Sequence, residues 1–173
     1  MNTGGLLGPL ERILGGGIPM SSLTLVEGDS SSGKSVLCQH FAYGSLSEHH
    51  SVAYLTSEHT ARSFTLQMAS LGLGVSNYIR NEQLLVQPLP RVDPTNHGSV
   101  APTLPFEVER IPTQHKLVIV DAITDFMSLL DDRAVVEFFS ICKWLSNNGR
   151  TIILVCSGPR VRRKPAYAPA LSV

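Results

Sequence analysis

The stretch LVEGDSSSGKSVL runs from Leu25 to Leu37 and joins two apolar segments through a run of glycine, serine and charged residues. Within it, residues 28–35 match the pattern G-x-x-x-x-G-K-[ST] without a gap. The glycines of such a loop allow positive φ and close backbone approach, so consecutive N–H groups can turn toward an anion. We therefore predict a phosphate-binding loop. Its eight residues are Gly28, Asp29, Ser30, Ser31, Ser32, Gly33, Lys34 and Ser35.

The flanking pattern supports this interpretation, because an apolar strand precedes the loop and a helix is predicted to begin at about Lys34. A helix that starts there points its dipole at the phosphates. We expect Lys34 to reach the β- and γ-phosphates of a nucleotide and Ser35 to ligate Mg²⁺. The predicted ligands are therefore a nucleoside triphosphate and Mg²⁺.

A loop of this kind needs a second acidic residue that holds Mg²⁺, and Asp121 is the candidate. It follows four apolar residues, 117–120, at the carboxyl end of a predicted strand. The alternative is that Asp121 only caps the next turn. The sequence holds no N-K-x-D segment for guanine, which favours ATP.

Glu58 is the candidate base for an attacking water. Many P-loop ATPases place a glutamate directly after the metal-binding aspartate, but Ala122 occupies that position here. Glu58 ends the second predicted strand and would face the γ-phosphate if that strand neighbours the strand of Asp121. The alternative is a solvated glutamate at the start of the next helix. Thr56 and Thr124 are weaker candidates for hydroxyls near the site.

The alternation of segments along the chain predicts an α/β fold. Strands that are apolar throughout indicate a mainly parallel sheet covered by helices on both faces. The predicted strands span residues 21–28, 51–58, 84–89, 116–123 and 151–157. The predicted helices span residues 35–48, a segment capped by Thr60 and ended by Gly72, and a segment capped by Asp131 or Asp132 and ended by Gly149.

Two segments lack a regular pattern. Residues 90–114 are rich in proline, and we predict a loop with one helical turn near Phe106 to Arg110. Residues 158–173 combine three prolines with a basic cluster that begins at Arg160. We predict an ATP-binding domain over residues 1–157 and a disordered Pro/Arg-rich tail over residues 158–173. The alternative for the tail is an anchor for phosphate or for an acidic partner.

The bulk composition limits the function classes. The chain has 173 residues, and its 14 Lys and Arg equal its 14 Asp and Glu, so nucleic acid is not expected as a partner. The three cysteines form no C-x-x-C pair. No apolar run approaches the roughly 18 residues that a membrane span needs, and no signal peptide is evident. We expect a cytoplasmic protein.

The segments GGGIPMSSLTLVEGDSSSGKSVL and YLTSEHTARSFTLQMASLGLGVSNYI resemble the RecA/KaiC-like ATPases. Within that group the chain is most similar to the archaellum accessory ATPases. The resemblance covers roughly residues 10–157 and is densest before Pro88. It implies a RecA-like P-loop fold, with ATP bound at Lys34, Ser35 and Asp121 and with Glu58 at the position of the family's catalytic-type glutamate.

The same resemblance implies partners and a location. It implies self-association in a ring, and docking to the archaellum motor ATPase and its associated membrane and cytosolic ring proteins. The protein would lie in the cytoplasm, at the inner face of the cell membrane, through that motor complex. Nucleotide binding would matter more than rapid turnover.

The chain departs from the family pattern in two regions. A clear helix is not predicted before the strand of Asp121, and the family's further strands are not predicted after Val155. We expect a sheet that lacks its C-terminal strands and leaves one edge of the Leu23 to Glu27 strand open. A truncated or frameshifted reading, or a partner that supplies the edge, would each explain this.

Three functions remain open at this point. The first is a nucleotide-dependent assembly or regulatory protein of the archaellum motor. The second is an oligomeric ATPase with real turnover, which needs an arginine from a neighbouring subunit. The third is a RecA-like DNA-associated protein, which needs basic loops and stacking aromatic residues.

Overall fold

The computed structural model describes residues 8–89 and 104–157. The helices are α1 (Gly8–Ile13), α2 (Lys34–Ser47), α3 (Ala61–Ser70), α4 (Ser76–Arg80), α5 (Leu104–Glu109), α6 (Thr124–Leu129) and α7 (Asp132–Asn147). The strands are β1 (Leu23–Gly28), β2 (Ser51–Thr56), β3 (Leu84–Pro88), β4 (His115–Asp121) and β5 (Thr151–Ser157). Each helix in these ranges is too short or too polar to cross a membrane.

The five strands form one parallel sheet in the order β1-β5-β4-β2-β3. The loop between β1 and α2 therefore lies at the same edge of the sheet as the carboxyl ends of β2, β4 and β5. Thr56 pairs with Asp121, and Asp121 pairs with Val155, which places these strand ends side by side. The fold brings the predicted phosphate loop, Asp121 and the residues after β2 together.

Both faces of the sheet are covered, as the apolar strands predicted. Alternate residues of β4 enter opposite clusters, since Ile119 packs with Phe41 of α2, whereas Val120 packs with Phe138 of α7. Helices α2 and α3 cover the first face, and α5, α6 and α7 cover the second. The predicted α/β fold with a parallel sheet and helices on both faces is confirmed.

The predicted helix ends also agree with the structure. The side chain of Thr60 accepts a hydrogen bond from the backbone N–H of Ser63 in a capping box at the start of α3. Asp131 accepts one from the N–H of Ala134 at the start of α7. Gly72 and Gly149 adopt positive φ, 77° and 89°, after α3 and α7.

Three short helices were not predicted: α1, α4 and α6. Helix α5 begins at Leu104, two residues before the predicted turn, and ends at Glu109. The rest of the predicted loop up to residue 103 lies outside the described residues. So do the tail of residues 158–173 and its basic cluster.

Strand β1 forms one edge of the sheet that residues 8–89 and 104–157 build. The open edge expected at Leu23 to Glu27 is therefore present in the described part of the chain. Leu25 on this strand is 52% exposed.

Candidate functional site

The turn after β1 has the conformation that an anion-binding loop requires. Gly33 adopts φ 88° and ψ 10° and begins α2 at Lys34, as predicted. Ser31 also adopts a positive φ, 64°, whereas Gly28 does not. Of the two properties expected of these glycines, Gly33 therefore uses positive φ, whereas Gly28 does not.

At Gly28 the backbone instead lies close to the loop. A Cβ atom at Gly28 would lie 2.9 Å from Ser32 Oγ and 3.6 Å from Lys34 Cδ. A side chain there would displace the Ser32 hydroxyl and would contact the stem of the lysine. Gly28 thus keeps the loop folded tightly over the end of β1.

A cavity of about 310 Å³ lies where this loop meets the strand ends. Eight of the ten predicted site residues line it. They are Ser30, Ser31, Ser32, Gly33, Lys34, Ser35, Glu58 and Asp121. Gly28 and Asp29 do not line the cavity, but the carbonyl of Asp29 accepts a hydrogen bond of 2.7 Å from Lys34 Nζ.

The N-terminus of α2 adds backbone donors to the cavity. The first N–H groups of a helix have no carbonyl partner within the helix. The residues at this end, Lys34, Ser35 and Val36, line the cavity. The loop and the helix end together offer N–H groups and the positive end of the dipole to an anion.

Asp121 is held at the floor of the cavity by two side chains. Its Oδ1 accepts a hydrogen bond of 3.2 Å from Ser35 Oγ, and its Oδ2 accepts one of 2.6 Å from Tyr54 Oη. Asp121 is only 3% exposed, and Tyr54 is fully buried. The carboxylate is therefore fixed in direction, with one oxygen beside the serine of the loop.

Tyr54 was not foreseen as part of the site. Burial raises the pKa of its hydroxyl well above the ordinary value of 10.0, and the charge of Asp121 raises it further. The hydroxyl consequently stays protonated and donates to the carboxylate. An aromatic residue in the middle of an apolar strand carries no sequence signal for such a contact.

Glu58 lies at the rim of the same cavity and is exposed. Strand β2 neighbours β4, which is the arrangement on which the sequence argument for Glu58 depended. The backbone N–H of Glu58 donates to Thr56 Oγ1 at 3.2 Å. This bond ties the backbone near the strand end and does not involve the carboxylate.

The carboxyl end of β5 supplies further lining residues, Val155 and Ser157, that sequence reasoning missed. The backbone N–H of Ser157 donates to Thr124 Oγ1 at 2.8 Å. Thr124 therefore supports the wall of the cavity through Ser157. The sequence could have indicated Ser157 by its position, because Ser157 ends a predicted strand at the same edge of the sheet as Asp121.

Cys38 lies beneath the loop and is fully buried. Burial is the largest cause that raises the pKa of its thiol, and the charge of Asp121 acts in the same direction, while Lys34 lowers it. The thiol is thus kept protonated and is not a nucleophile for this site.

Comparison with known proteins gives a family and several relatives. The family model described as "ATPase: KaiC" matches residues 6–168. The protein named "Archaeal flagellar ATP-binding protein FlaH" of Methanocaldococcus jannaschii is 42% identical over 80 residues, which are 46% of this chain and 34% of that protein. The protein of the same name from Sulfolobus acidocaldarius is 25% identical over 146 residues, 83% of this chain and 64% of that protein.

A solved structure gives the same likeness. The crystal structure of "flagellar accessory protein FlaH" from Methanocaldococcus jannaschii matches with a TM-score of 0.76 and 28% identity, over 88% of this chain and 69% of that chain. The alignments with the two curated relatives thus span about a third and about two thirds of those proteins' length.

Proposed function

The chain belongs to the KaiC family of ATPases, and on that premise we propose that it is an ATP-binding assembly or regulatory component of the archaellum motor. The observation that carries the proposal is the cavity in which the glycine-rich loop, the start of α2 and the fixed Asp121 meet. The names of its relatives, which refer to the archaeal flagellum and to ATP binding, support the ligand and the setting.

The phosphates of ATP are proposed to lie along residues 30–35. This position brings them to the loop and helix N–H groups, which favour negative charge. Lys34 adds a mobile positive charge, and its hydrogen bond to the Asp29 carbonyl is one that a phosphate oxygen can replace. The close packing at Gly28 supports a loop shaped for backbone contact with a ligand.

Mg²⁺ fits the pair Ser35 and Asp121. A hydroxyl and a carboxylate are the oxygen ligands that this ion prefers, and their oxygens are already 3.2 Å apart. The described residues contain no cluster of three or more His, Cys, Asp or Glu side chains for a metal. This agrees with an ion held by few protein ligands together with water and phosphates. Bound there, Mg²⁺ would neutralise phosphate charge.

Glu58 is proposed as the residue that responds to nucleotide. It faces the cavity from an exposed position, while its backbone is fixed through Thr56. Bound nucleotide would order this rim and favour one conformation of the surface around it. Ligand present at 100 times its dissociation constant stabilises the bound form by about 2.7 kcal/mol, enough to shift a two-state surface.

The second candidate is an oligomeric ATPase in which Glu58 is the catalytic base. The presence of Glu58 on the cavity favours it. Rapid turnover in a single chain is disfavoured, because no arginine among the described residues lines the cavity. An arginine that stabilises the transition state, worth about 10³–10⁵ in rate, would have to come from a neighbouring subunit of a ring.

The proposed partners are those of the motor. We propose a homo-oligomeric ring that docks on the archaellum motor ATPase and its ring proteins at the inner face of the cell membrane. A DNA-associated role is disfavoured by the neutral charge balance, 14 basic against 14 acidic residues.

The test compares ATP binding and hydrolysis side by side in the wild type and in Glu58→Gln, with Mg²⁺, over a range of protein concentrations. A regulatory protein should bind ATP with negligible turnover in both. Turnover that rises with concentration and disappears in Glu58→Gln would establish the ATPase instead. Absence of ATP binding in a folded wild type would refute both.

A further inference from the structure

The two carboxylate oxygens of Asp121 have different surroundings. Oδ1 lies 3.2 Å from Ser35 Oγ, whereas Oδ2 accepts a hydrogen bond of 2.6 Å from Tyr54 Oη. Ser35 and Asp121 line the cavity, and Tyr54 does not. Oδ1 is therefore beside the other residue proposed to hold Mg²⁺, while Oδ2 is bonded to a side chain of the core.

The register of the sheet brings Tyr54 to this carboxylate. Tyr54 of β2 pairs with Ile119 of β4, and Asp121 lies two residues beyond Ile119 on the same strand. Because side chains alternate along a strand, Asp121 extends from the same face of the sheet as Ile119. Tyr54 packs in the cluster of Ile119 on that face. Its hydroxyl thus reaches Asp121 diagonally across the two strands.

The ring of Tyr54 is held in place by its packing. It is fully buried, and its centroid lies 4.6 Å from that of Phe64 in α3, with the two ring planes tilted by 50°. Cys38 and Phe41 of α2 belong to the same cluster. Strand β2 also has a neighbour on each side, β4 and β3. Packing and the hydrogen bond therefore keep the hydroxyl at Asp121 Oδ2 together.

Turning both oxygens of Asp121 toward an ion would carry an energetic cost. The movement would break the bond from Tyr54, and the fully buried hydroxyl would lose this acceptor. A buried polar group without a partner is costly, because it has given up its hydrogen bonds with water. Asp121 itself is only 3% exposed, so water has little access to Oδ2. Tyr54 thus leaves Asp121 with one oxygen to offer to a cation.

A single carboxylate oxygen suits Mg²⁺ better than Ca²⁺. Mg²⁺ demands near-octahedral geometry with ligands at about 2.0–2.1 Å and usually keeps several waters. Ca²⁺ takes about 6–8 oxygen ligands at about 2.3–2.6 Å, and carboxylates often bind it through both oxygens. Selectivity between the two ions depends on the number of ligands and on the flexibility of the site. A carboxylate that is fixed and offers one oxygen therefore disfavours the larger ion.

We propose that Tyr54 determines the ion specificity of the nucleotide site, because its bond to Oδ2 limits Asp121 to one oxygen and so selects Mg²⁺ over Ca²⁺. Tyr54 is a positioning residue, since it acts through Asp121 and does not line the cavity. The inference rests on the proposed function, in which Ser35 and Asp121 hold the ion that accompanies ATP. It adds the residue that decides which ion the site accepts.

The experiment measures ATP binding by isothermal titration in the presence of Mg²⁺ or of Ca²⁺ at the same concentration. The quantity compared is the ratio of the ATP dissociation constant with Ca²⁺ to that with Mg²⁺. We expect a ratio of about 10 or more in the wild type and a ratio close to about 1 in Tyr54→Phe. The ratio should fall because Oδ2 loses its donor in the variant and becomes available to the larger ion.

Two control variants separate this role from a loss of stability. Tyr78→Phe makes the same substitution at a half-buried tyrosine that does not line the cavity. Phe64→Leu loosens the packing of the Tyr54 ring but keeps the tyrosine hydroxyl. Both should keep the wild-type ratio, because lower stability weakens ATP binding with the two ions alike. Circular dichroism checks that each variant folds.

The outcomes distinguish this inference from the proposed function. A folded Tyr54→Phe variant with the wild-type ratio, or a ratio that falls equally in Phe64→Leu, would overturn the inference and leave the proposed function standing. A wild type that binds ATP equally well with the two ions would overturn it too, and this measurement needs no variant to fold. Absence of ATP binding with either ion in a folded wild type would refute both.

Discussion

The two carboxylates of the candidate site differ in how they are held, although Asp121 ends β4 and Glu58 follows the neighbouring strand β2 by two residues. Asp121 is 3% exposed and receives hydrogen bonds from Tyr54 and Ser35. Glu58 is exposed, and among the described residues its contact is a backbone hydrogen bond to Thr56. A buried carboxylate must be paired because an unpaired one is costly, whereas an exposed one can change partners at little cost. The cavity thus has a fixed floor and a movable rim.

The largest expected effect concerns Lys34, which belongs to the movable part. Lys34→Ala should weaken ATP binding by about 100-fold, because charge-assisted hydrogen bonds of about 1.5–3 kcal/mol are lost. The free energy of unfolding of the Lys34→Ala variant should change little. Isothermal titration with ATP and Mg²⁺ measures the effect, with Lys116→Ala, an exposed lysine away from the cavity, as the control. Equal ATP affinities in Lys34→Ala and Lys116→Ala would show that the loop does not bind the phosphates.

The fixed floor is tested by Tyr54→Phe. This change leaves Asp121 Oδ2 without the hydroxyl that donates to it, so the free energy of unfolding should fall by about 1–3 kcal/mol. Urea unfolding at neutral pH measures it. Tyr78→Phe, at a half-buried tyrosine outside the cavity, should change the same quantity by less than about 0.5 kcal/mol. An unchanged free energy of unfolding in Tyr54→Phe would mean that the tyrosine hydroxyl does not stabilise the Asp121 carboxylate.

The stability of the protein at alkaline pH tests the environment of Tyr54 in a second way. Burial raises the pKa of Tyr54 above 10.0 and the pKa of Cys142 from 9.0 to about 12. The folded chain keeps these protons, whereas the unfolded chain releases them above pH 9 or 10. Stability should therefore be complete below about pH 9 and decline as the pH rises, by up to about 1.4 kcal/mol per pH unit for each group.

Unfolding in urea between pH 8 and pH 11 measures this slope. Tyr54→Phe removes one titrating group and should decline less steeply than the wild type above pH 10. If the two slopes coincide, the pKa of Tyr54 is not raised in the folded protein.

The smallest expected effect separates stability from binding. Asp131 caps α7 through the N–H of Ala134 at 2.7 Å and does not line the cavity. Asp131→Ala should lower the free energy of unfolding by about 1 kcal/mol, and Asp132→Ala, which removes only a charge from the first turn, by a few tenths. Thermal unfolding compares the two. ATP affinity should be unchanged in both, and a change in affinity would show that stability alone affects the site.

The sequence predicted the sheet, and it predicted eight residues that line one cavity, because both predictions rest on strong local patterns. Apolar runs ended by Gly28, Asp121 and Ser157 specify strands, and parallel pairing then places their ends together. The loop of residues 28–35 was predicted from the spacing of its glycines, lysine and serine. The pattern did not say which property of glycine each position uses: Gly33 adopts positive φ, whereas Gly28 lies close to Ser32.

The rest depended on tertiary structure. Helix α4 has five residues, and α6 begins after Ile123 without a side-chain cap, so neither leaves a periodic pattern. Tyr54 resembles any core residue until β2 is placed beside β4.

The most direct test compares Asp121→Asn with Glu58→Gln, two isosteric changes at the fixed and the movable carboxylate. ATP binding is measured by titration with Mg²⁺ and with EDTA. We expect Asp121→Asn to lose the part of the affinity that depends on Mg²⁺, whereas Glu58→Gln should keep the wild-type affinity within about threefold. An unchanged Mg²⁺ dependence in a folded Asp121→Asn variant, or its loss in Glu58→Gln, would show that Asp121 is not the carboxylate that holds the ion.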